Sequence, residues 1–370
     1  MMRPPPARLV LAAVALTACS DSHGITSPPR QVAVAYAKAP PGGTATYTAT
    51  DLGVLPGDQE SYAWSANDAG YVVVQSNFYP QSGLGQGHWY IRSGSSITRF
   101  TDGALARMSN GQTAFILSGR TRWTFNPSTG FTSPLVLDSL YGYASSAGGV
   151  NDLGMSTGSV SYAVEGQSSS DAVIWNADGS GSAVSNPKPD SIRSGGGIDI
   201  NNSGDVVIGY YGALNPGVGM ARPDRGYVRT ADGVMIELLP LPGHRSTYVY
   251  GVSARVGGVV HVAGTSDDDA GSYNAVRYTV DLGTHAVIAT SVGPASSYSQ
   301  AIADNGTVVG VLAGSSQSGF VWTVGGSVQS LKPPKSGTNG RVWGISGNGR
   351  YIAGDAKFGT YRRAVLWTAP

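Results

Sequence analysis

The densest run of ionisable groups in this 370-residue sequence is Asp267-Asp268-Asp269, within Ser266–Gly271. Three adjacent carboxylates repel one another, and a calcium-type cation would relieve that repulsion through oxygen ligands. Without a cation the run is a solvated acidic loop. Asp68, Asp152 and Asp304 sit instead in Asn/Asp-Gly turns, where an Asx side chain bonds its own backbone. The histidines, His23, His88, His244, His261 and His285, are isolated and show no HExxH, so no zinc set at workable spacing is visible. No GxSxG marks a nucleophile elbow. Gly83–Gly87 mimics a phosphate loop, but it falls between predicted strands with no helix behind it. No catalytic residue is assigned from these patterns.

The composition says what kind of scaffold must hold these groups. Lys plus Arg is 24 and Asp plus Glu is 23, a net charge of +1, which excludes a generally basic nucleic-acid binder. Charged residues are 13% of the chain, against about 25% in ordinary soluble domains. Glycine is abundant at 53 residues and tyrosine at 19, a bias toward strands and turns. Hydrophobic residues at 41% supply a sizeable core.

One pattern recurs along the chain: a polar turn ending in glycine, then an apolar run. Its glycines are Gly70, Gly111, Gly154, Gly204, Gly257, Gly306 and Gly349, at steps of 41 to 53 residues. About twenty residues after most of them comes an alternating strand with a terminal aromatic: Trp123, Trp175, Tyr278, Trp322 or Trp367. Two copies carry Arg92 and Arg229 there, with Tyr90 and Tyr227 two places earlier on the same strand face. An Asp-Gly or Gly-Gly hairpin turn and a fourth strand complete the unit. Four strands per unit predict an all-β fold, a single seven-bladed β-propeller with six or eight blades as alternatives. The last unit ends after its third strand, and residues 44–54 read as a lone strand that completes the last blade.

This reading places long, variable loops at one face, where binding residues concentrate on a rigid scaffold. They carry Tyr79, Tyr141, Tyr143, Glu165, Arg193, Arg222, Asp224, His244, Arg245, Lys335 and Arg341. Aromatics beside charged groups suit sugars or peptides, through stacking and bidentate bonds. The tryptophans ending the third strands are expected to pack between blades.

Asp51-Leu-Gly-Val-Leu-Pro-Gly57, then Ser61-Tyr-Ala and Asn67-Asp-Ala-Gly70 with a valine run, resembles the bacterial extracellular HAF repeat. Units of that family also end in an aromatic strand, as AVLWT does here. The resemblance covers roughly residues 46–370 and is closest in the first repeat. The family's His-Ala-Phe triplet is not kept: His88 fills its first place once, while Asp171, Arg225, Asn274, Ser318 and Arg363 stand there elsewhere. The resemblance implies a surface or secreted β-repeat protein and carries over no catalytic residue.

The N-terminus has its own logic. Two arginines in residues 1–8 precede a ten-residue apolar run, residues 9–18, and then the single cysteine, Cys19. Ten residues are too few for a spanning helix. Leu16-Thr17-Ala18-Cys19 resembles a bacterial lipobox, which implies acylation of Cys19 and removal of residues 1–18. Ser20 directly after the cysteine resembles the sorting pattern of outer-membrane lipoproteins. Residues 19–43, rich in Pro and Gly, read as a tether, although Gln31–Ala37 alternates weakly as a short strand would; residues 44–370 form the propeller.

The expected function is a non-catalytic cell-surface lipoprotein whose propeller binds a ligand or partner, with the membrane, a polysaccharide or an envelope protein as partners and calcium as the conceivable cofactor. The alternative is an extracellular propeller glycoside hydrolase or polysaccharide lyase, with Glu165, Asp224 and Asp267–Asp269 as its candidate carboxylates.

Overall fold

The computed structural model describes residues 35–38, 46–79, 86–105, 107–140, 144–164, 167–185, 192–212, 224–268, 271–292, 296–314 and 317–370. Every regular element named among them is a β-strand, and none of them forms a helix long and apolar enough to cross a membrane.

After β1 (Ala35–Lys38) and β2 (Thr48–Gly53) the chain repeats one motif, an antiparallel meander. The first is β3 (Glu60–Ala66), β4 (Tyr71–Phe78), β5 (Gln86–Ser93) and β6 (Ser96–Phe100). The second keeps β7 (Ala114–Ser118), β8 (Thr121–Asn126) and β9 (Gly130–Val136), and its first strand is reduced to one bridge between Met108 and Ile116. Then come β10 (Ala144–Val150), β11 (Ser156–Val164), β12 (Gln167–Trp175) and β13 (Gly181–Val184), followed by β14 (Ile192–Ile200), β15 (Val206–Gly212), β16 (Arg225–Arg229) and β17 (Met235–Leu238). A single parallel bridge, Ser170 to Ser194, joins those two meanders. The next are β18 (Ser246–Val252), β19 (Val259–Asp267), β20 (Tyr273–Asp281) and β21 (Val287–Ser291), and β22 (Ser297–Ile302), β23 (Val308–Leu312), β24 (Ser318–Trp322) and β25 (Val328–Ser330). The last meander has β26 (Thr338–Ile345), β27 (Tyr351–Phe358) and β28 (Tyr361–Thr368) of its own. Its fourth place is taken by β2, antiparallel to β28 with Thr48 opposite Thr368. Within the segment expected to be a tether, β1 pairs in parallel with β21, Ala35 opposite Ile288.

The turn after each first strand explains why the motif repeats. Asn67 Oδ1 accepts the amides of Ala69 and Tyr71, which closes the turn, and Gly70 takes the φ of +77° that a side chain resists. Asn151 and Asn201 do the same two and four residues on. Their Nδ2 groups then reach outward: Asn67 donates to Gly111, Asn151 to Asn201 and Asn201 to Ser253. One asparagine thus shapes its own turn and fastens it to the next meander.

The third-strand aromatics are the core between meanders. Trp175, Trp322, Trp367 and Tyr278 are fully buried, as are Tyr90 and Tyr227 in the two shifted copies. Each indole buries about 150–250 Å², on the order of 4–6 kcal/mol at about 25 cal/mol per Å². In the second meander the sequence assignment is off by one alternation: Phe125, opposite Ala114, is the buried aromatic, and Trp123 is half-buried two places earlier. The two share a strand face, and Phe125 is the one aligned with Trp322 in the register of the second strand.

First strands pack against one another: β14 touches β10 and β18, β22 touches β18 and β26, and β26 touches β3. Small residues permit this. A Cβ on Gly344 would lie 2.8 Å from the Trp64 carbonyl oxygen and 3.1 Å from Ser65 Cα. Each meander therefore has a turn end, carrying the first-to-second-strand turns, and a loop end, carrying the second-to-third connections and the crossings between meanders.

Candidate functional site

The described first strands share one irregularity. Their pairing with the second strand shifts between Ala63 and Ser65, Ala147 and Gly149, Gly197 and Asp199, Val249 and Gly251, Ser299 and Ala301, and Val342 and Gly344. A bulge releases one residue from the ladder and re-aims it. The released residues include Trp64, Tyr250, Gln300 and Trp343.

Two of these tryptophans meet. The rings of Trp64 and Trp343 are 5.3 Å apart, and Trp64 also lies 6.4 Å from Trp89 and 6.3 Å from Tyr62. Trp64 keeps 36% of its surface exposed. Polar partners fix the rings: Trp64 Nε1 donates to Gln75 Oε1 at 3.1 Å and Trp343 Nε1 to Asp355 Oδ1 at 2.7 Å. Asp355 is fully buried and also accepts from Arg341 and Arg362, and the Arg341 guanidinium lies 5.1 Å over the Trp343 ring. Glu60 Oε2 accepts the hydroxyls of Tyr62 at 2.8 Å and Tyr79 at 3.1 Å. Burial and this carboxylate hold both phenols above the usual range, so they stay protonated and donate. Further round the loop end, the rings of Tyr273 and Tyr298 are 5.0 Å apart. Burial raises the hydroxyls of Tyr248 and Tyr250, and a bond to Asp224 raises Tyr248 further.

Below the tryptophans lies a cavity of about 90 Å³, lined by Trp64, Arg107, Asp199, Val252, Ile302 and Trp343 among others. Arg107 and Asp199 occupy a place that is otherwise small: Ser65, Gly149, Gly251, Ala301 and Gly344, each two residues before its turn. Arg107 Nη1 lies 3.3 Å from Asp199 Oδ1, and Nη2 donates to the Tyr250 carbonyl at 2.6 Å. Burial pushes the Asp199 carboxyl up, against the pull of Arg107.

The turn end corrects an expectation. Asp68, Asp152 and Asp304 were expected to bond their own turns; their carboxylates bond other meanders instead, Asp152 on both sides, since its Oδ2 also accepts Asn202 Nδ2 at 2.9 Å. Asp68 Oδ1 accepts Asn348 N at 2.7 Å, and Asp152 Oδ1 accepts Gly111 N at 2.7 Å. Asp304 takes the amide of Ala254. For Asp68 and Asp152 the local role is already filled by the asparagine one place earlier; Ala303 precedes Asp304, and in that turn Asn305 Oδ1 accepts Thr307 N at 3.0 Å. Burial pushes the Asp304 carboxyl up to about 6, with Asp68, Asp152 and Asp199 adding repulsion.

Of the residues singled out in the sequence, Tyr79, Asp224, His244, Arg245, Lys335 and Arg341 lie at the loop end, and Tyr79 and Arg341 belong to the tryptophan cluster. Arg193 is on β14, while Cys19, Tyr141, Tyr143, Glu165, Arg222 and Asp269 fall outside the described residues. Asp267 is 5% exposed, and Asp268 Oδ1 accepts Ser272 N at 2.9 Å, closing the hairpin. Among the described residues no group of three His, Cys, Asp or Glu side chains could hold a metal ion. Sequence reasoning missed Trp64, Trp343, Arg107, Asp199 and Asp355. The signal for the tryptophans was present: each stands three residues before the first residue of its turn, Asn67 and Ser346.

No protein-family model and no curated protein matches the chain. Solved structures do. A crystal structure of an oligogalacturonate lyase from Vibrio parahaemolyticus aligns with a TM-score of 0.55 at 10% identity, over 90% of this chain and 99% of that one. The β-propeller domain of the Trilobed protease from Pyrococcus furiosus aligns with a TM-score of 0.53 at 12% identity, over 84% of this chain and 97% of that one. At these identities the likeness is one of fold: an all-β propeller scaffold.

Proposed function

We propose that this chain is a non-catalytic, lipid-anchored protein of the bacterial outer membrane that binds a ligand or partner at the loop end of a seven-bladed propeller. In this reading the blades are β3–β6, the Met108 bridge with β7–β9, β10–β13, β14–β17, β18–β21, β22–β25, and β26–β28 completed by β2. The antiparallel pairing of β2 with β28 supports closure of the ring by the N-terminal strand, and the contact of β26 with β3 agrees with it.

The observation that carries the binding reading is the aromatic cluster around Trp64 and Trp343, brought together by matching bulges in separate meanders. Such convergence needs several elements at once, and it leaves Trp64 and Tyr79 open to solvent, at 36% and 45% exposed. The carboxylates beside it are engaged: Asp355 by two guanidiniums and an indole, Glu60 by two phenols. Neither is arranged as a proton-transfer group, which favours binding over hydrolysis or elimination.

The anchor rests on the lipobox resemblance at Leu16–Cys19. Metabolic labelling with an alkyne fatty acid should tag the wild-type chain and not Cys19→Ala, and the variant should leave the membrane fraction. The binding reading is tested by a thermal-shift screen against envelope polysaccharides, peptides and calcium with chelator controls. A ligand that binds only the folded state at a hundredfold excess over Kd adds about 2.7 kcal/mol. Turnover of any panel member, abolished by changing a loop-end carboxylate, would overturn the non-catalytic reading.

A further inference from the structure

The charge and hydrogen-bonding inventory of the tryptophan cluster narrows its ligand. Arg341 and Arg362 face Asp355 and, across the cluster, Glu60 balances the remaining positive charge: two cations against two carboxylates. Both guanidiniums are already spent, Arg341 on Asp355 and the Trp343 face, Arg362 on Asp355 and the Asn339 carbonyl. The Nε–Nη2 edge of each guanidinium, the edge that would take a carboxylate, sulfate or phosphate in bidentate fashion, is therefore occupied.

The polar atoms that remain are uncharged donors together with one acceptor. Among the described residues, Trp89 Nε1 and Gln75 Nε2 make no hydrogen bond, and the Oε1 of Glu60 accepts none; all three side chains are half-buried. The indoles of Trp64 and Trp343 have their N–H groups occupied, so they offer carbon surface. Ring surface flanked by separate donors and an acceptor fits a molecule with apolar C–H faces and hydroxyls that both donate and accept.

We propose that Trp64, Trp89 and Trp343, with Tyr62, Gln75 and Glu60, form a binding site for a neutral oligosaccharide. The inference rests on the binding reading above and specifies both the place and the ligand class. Sugar rings sit against Trp64 and Trp343, hydroxyls donate to Glu60 Oε1 and accept from Trp89 Nε1 and Gln75 Nε2, and acidic sugars meet guanidiniums already paired with Asp355.

The test is a tryptophan-fluorescence titration of the full chain, held in a detergent without a sugar headgroup. The probes are cellohexaose, mannohexaose, maltohexaose and N-acetylchitohexaose, with hexagalacturonate as the acidic counterpart. Saturable quenching by a neutral hexasaccharide is expected, with Kd raised at least about tenfold in Trp64→Ala and Trp343→Ala. Trp64→Phe, which keeps a ring beside Trp343, should retain binding within about threefold, and calorimetry replaces fluorescence where the indole signal is lost. Circular dichroism and unchanged unfolding midpoints check that the variants fold; if the alanine variants do not, Glu60→Gln and Gln75→Ala report on the same site from its polar side. Binding by hexagalacturonate alone overturns the ligand class. Neutral binding unchanged in these variants overturns the site. Either result leaves a binding propeller standing. No saturable response from any of the five overturns the oligosaccharide inference, and the peptide arm of the thermal-shift screen then decides the broader reading on its own.

Discussion

Arg107 and Asp199 meet where the first strands converge, Nη1 3.3 Å from Oδ1, although they belong to different meanders 92 positions apart, each holding the same place in its own repeat. Their place is filled by Ser, Ala or Gly in the other described meanders. The two large side chains compensate each other: the guanidinium answers a carboxyl that burial pushes up and also caps the Tyr250 carbonyl. Removing one partner strands the other in a poorly solvated place, so Arg107→Ala should cost about 2–4 kcal/mol. The double variant Arg107→Ala with Asp199→Ala restores the small-residue pattern and should recover at least half of that. Urea unfolding of the four proteins in a double-mutant cycle measures the coupling.

Asp304 makes stability depend on pH in an uncommon direction. Its folded carboxyl is pushed up to about 6, against an unfolded value of about 3.9. Below about pH 4 both states are protonated, and above about pH 6 both are ionised. Between them the folded state holds the extra proton, so this group's contribution to stability falls as pH rises from about 4 to 6, by on the order of 3 kcal/mol. Asp304→Asn should flatten this stretch and raise stability at pH 8. The fold already shows that asparagine suffices: Asn110 Oδ1 accepts Gly347 N and Asn202 Oδ1 accepts Asp152 N from the corresponding turn position. Unfolding midpoints from pH 4 to 8 for both proteins decide it; an unchanged slope would place the titration elsewhere.

The repeat could be read from sequence because its signals are local. Asn67-Asp-Ala-Gly70 and its copies specify a turn, and Trp175, Trp322 and Trp367 specify a buried strand face, by rules that act within a few residues. The site was less legible because it is assembled across meanders. Trp64 and Trp343 meet only after two bulges have turned them out of their ladders, and a one-residue slip in register is invisible to an alternating pattern. Tyr79 was legible because it flanks a loop; Arg341, expected in the connection before the last meander, lies instead on β26 opposite Asp355. Asp355 was missed because it sits inside an apolar strand, where its partners Arg341 and Arg362 come from the strands on either side. The outward role of Asp68 and Asp152 was hidden for the same reason: their partners are in another repeat.

Asp355 is the polar keystone of the tryptophan cluster. It is fully buried and holds Arg341, Arg362 and Trp343 Nε1 together. Asp355→Ala would leave two guanidiniums facing each other without a counter-charge, an expected loss of about 3–5 kcal/mol. Asp355→Asn keeps an acceptor for the indole but removes the charge, and should lie between the two. Denaturant midpoints rank the three. A blue-to-red shift of tryptophan emission in the native baseline of Asp355→Ala would report the Trp343 ring losing its anchor.

The pairing of β2 with β28 makes a separate prediction about how the chain holds its ends. Without Thr48–Gly53 the outer edge of β28 is an unpaired strand, and Leu52 no longer packs with Ala63, Ala353 and Ala364. An open edge beside an uncovered apolar patch favours pairing with other chains. A chain lacking residues 46–53 should therefore unfold at lower denaturant and form soluble oligomers on size-exclusion chromatography. The same deletion leaves the first-strand contacts and the Trp64–Trp343 pair untouched in sequence. A monomeric, equally stable deletion variant would show that β2 is an accessory strand, and the remaining strands of the last meander would then be sufficient to hold β26 against β3.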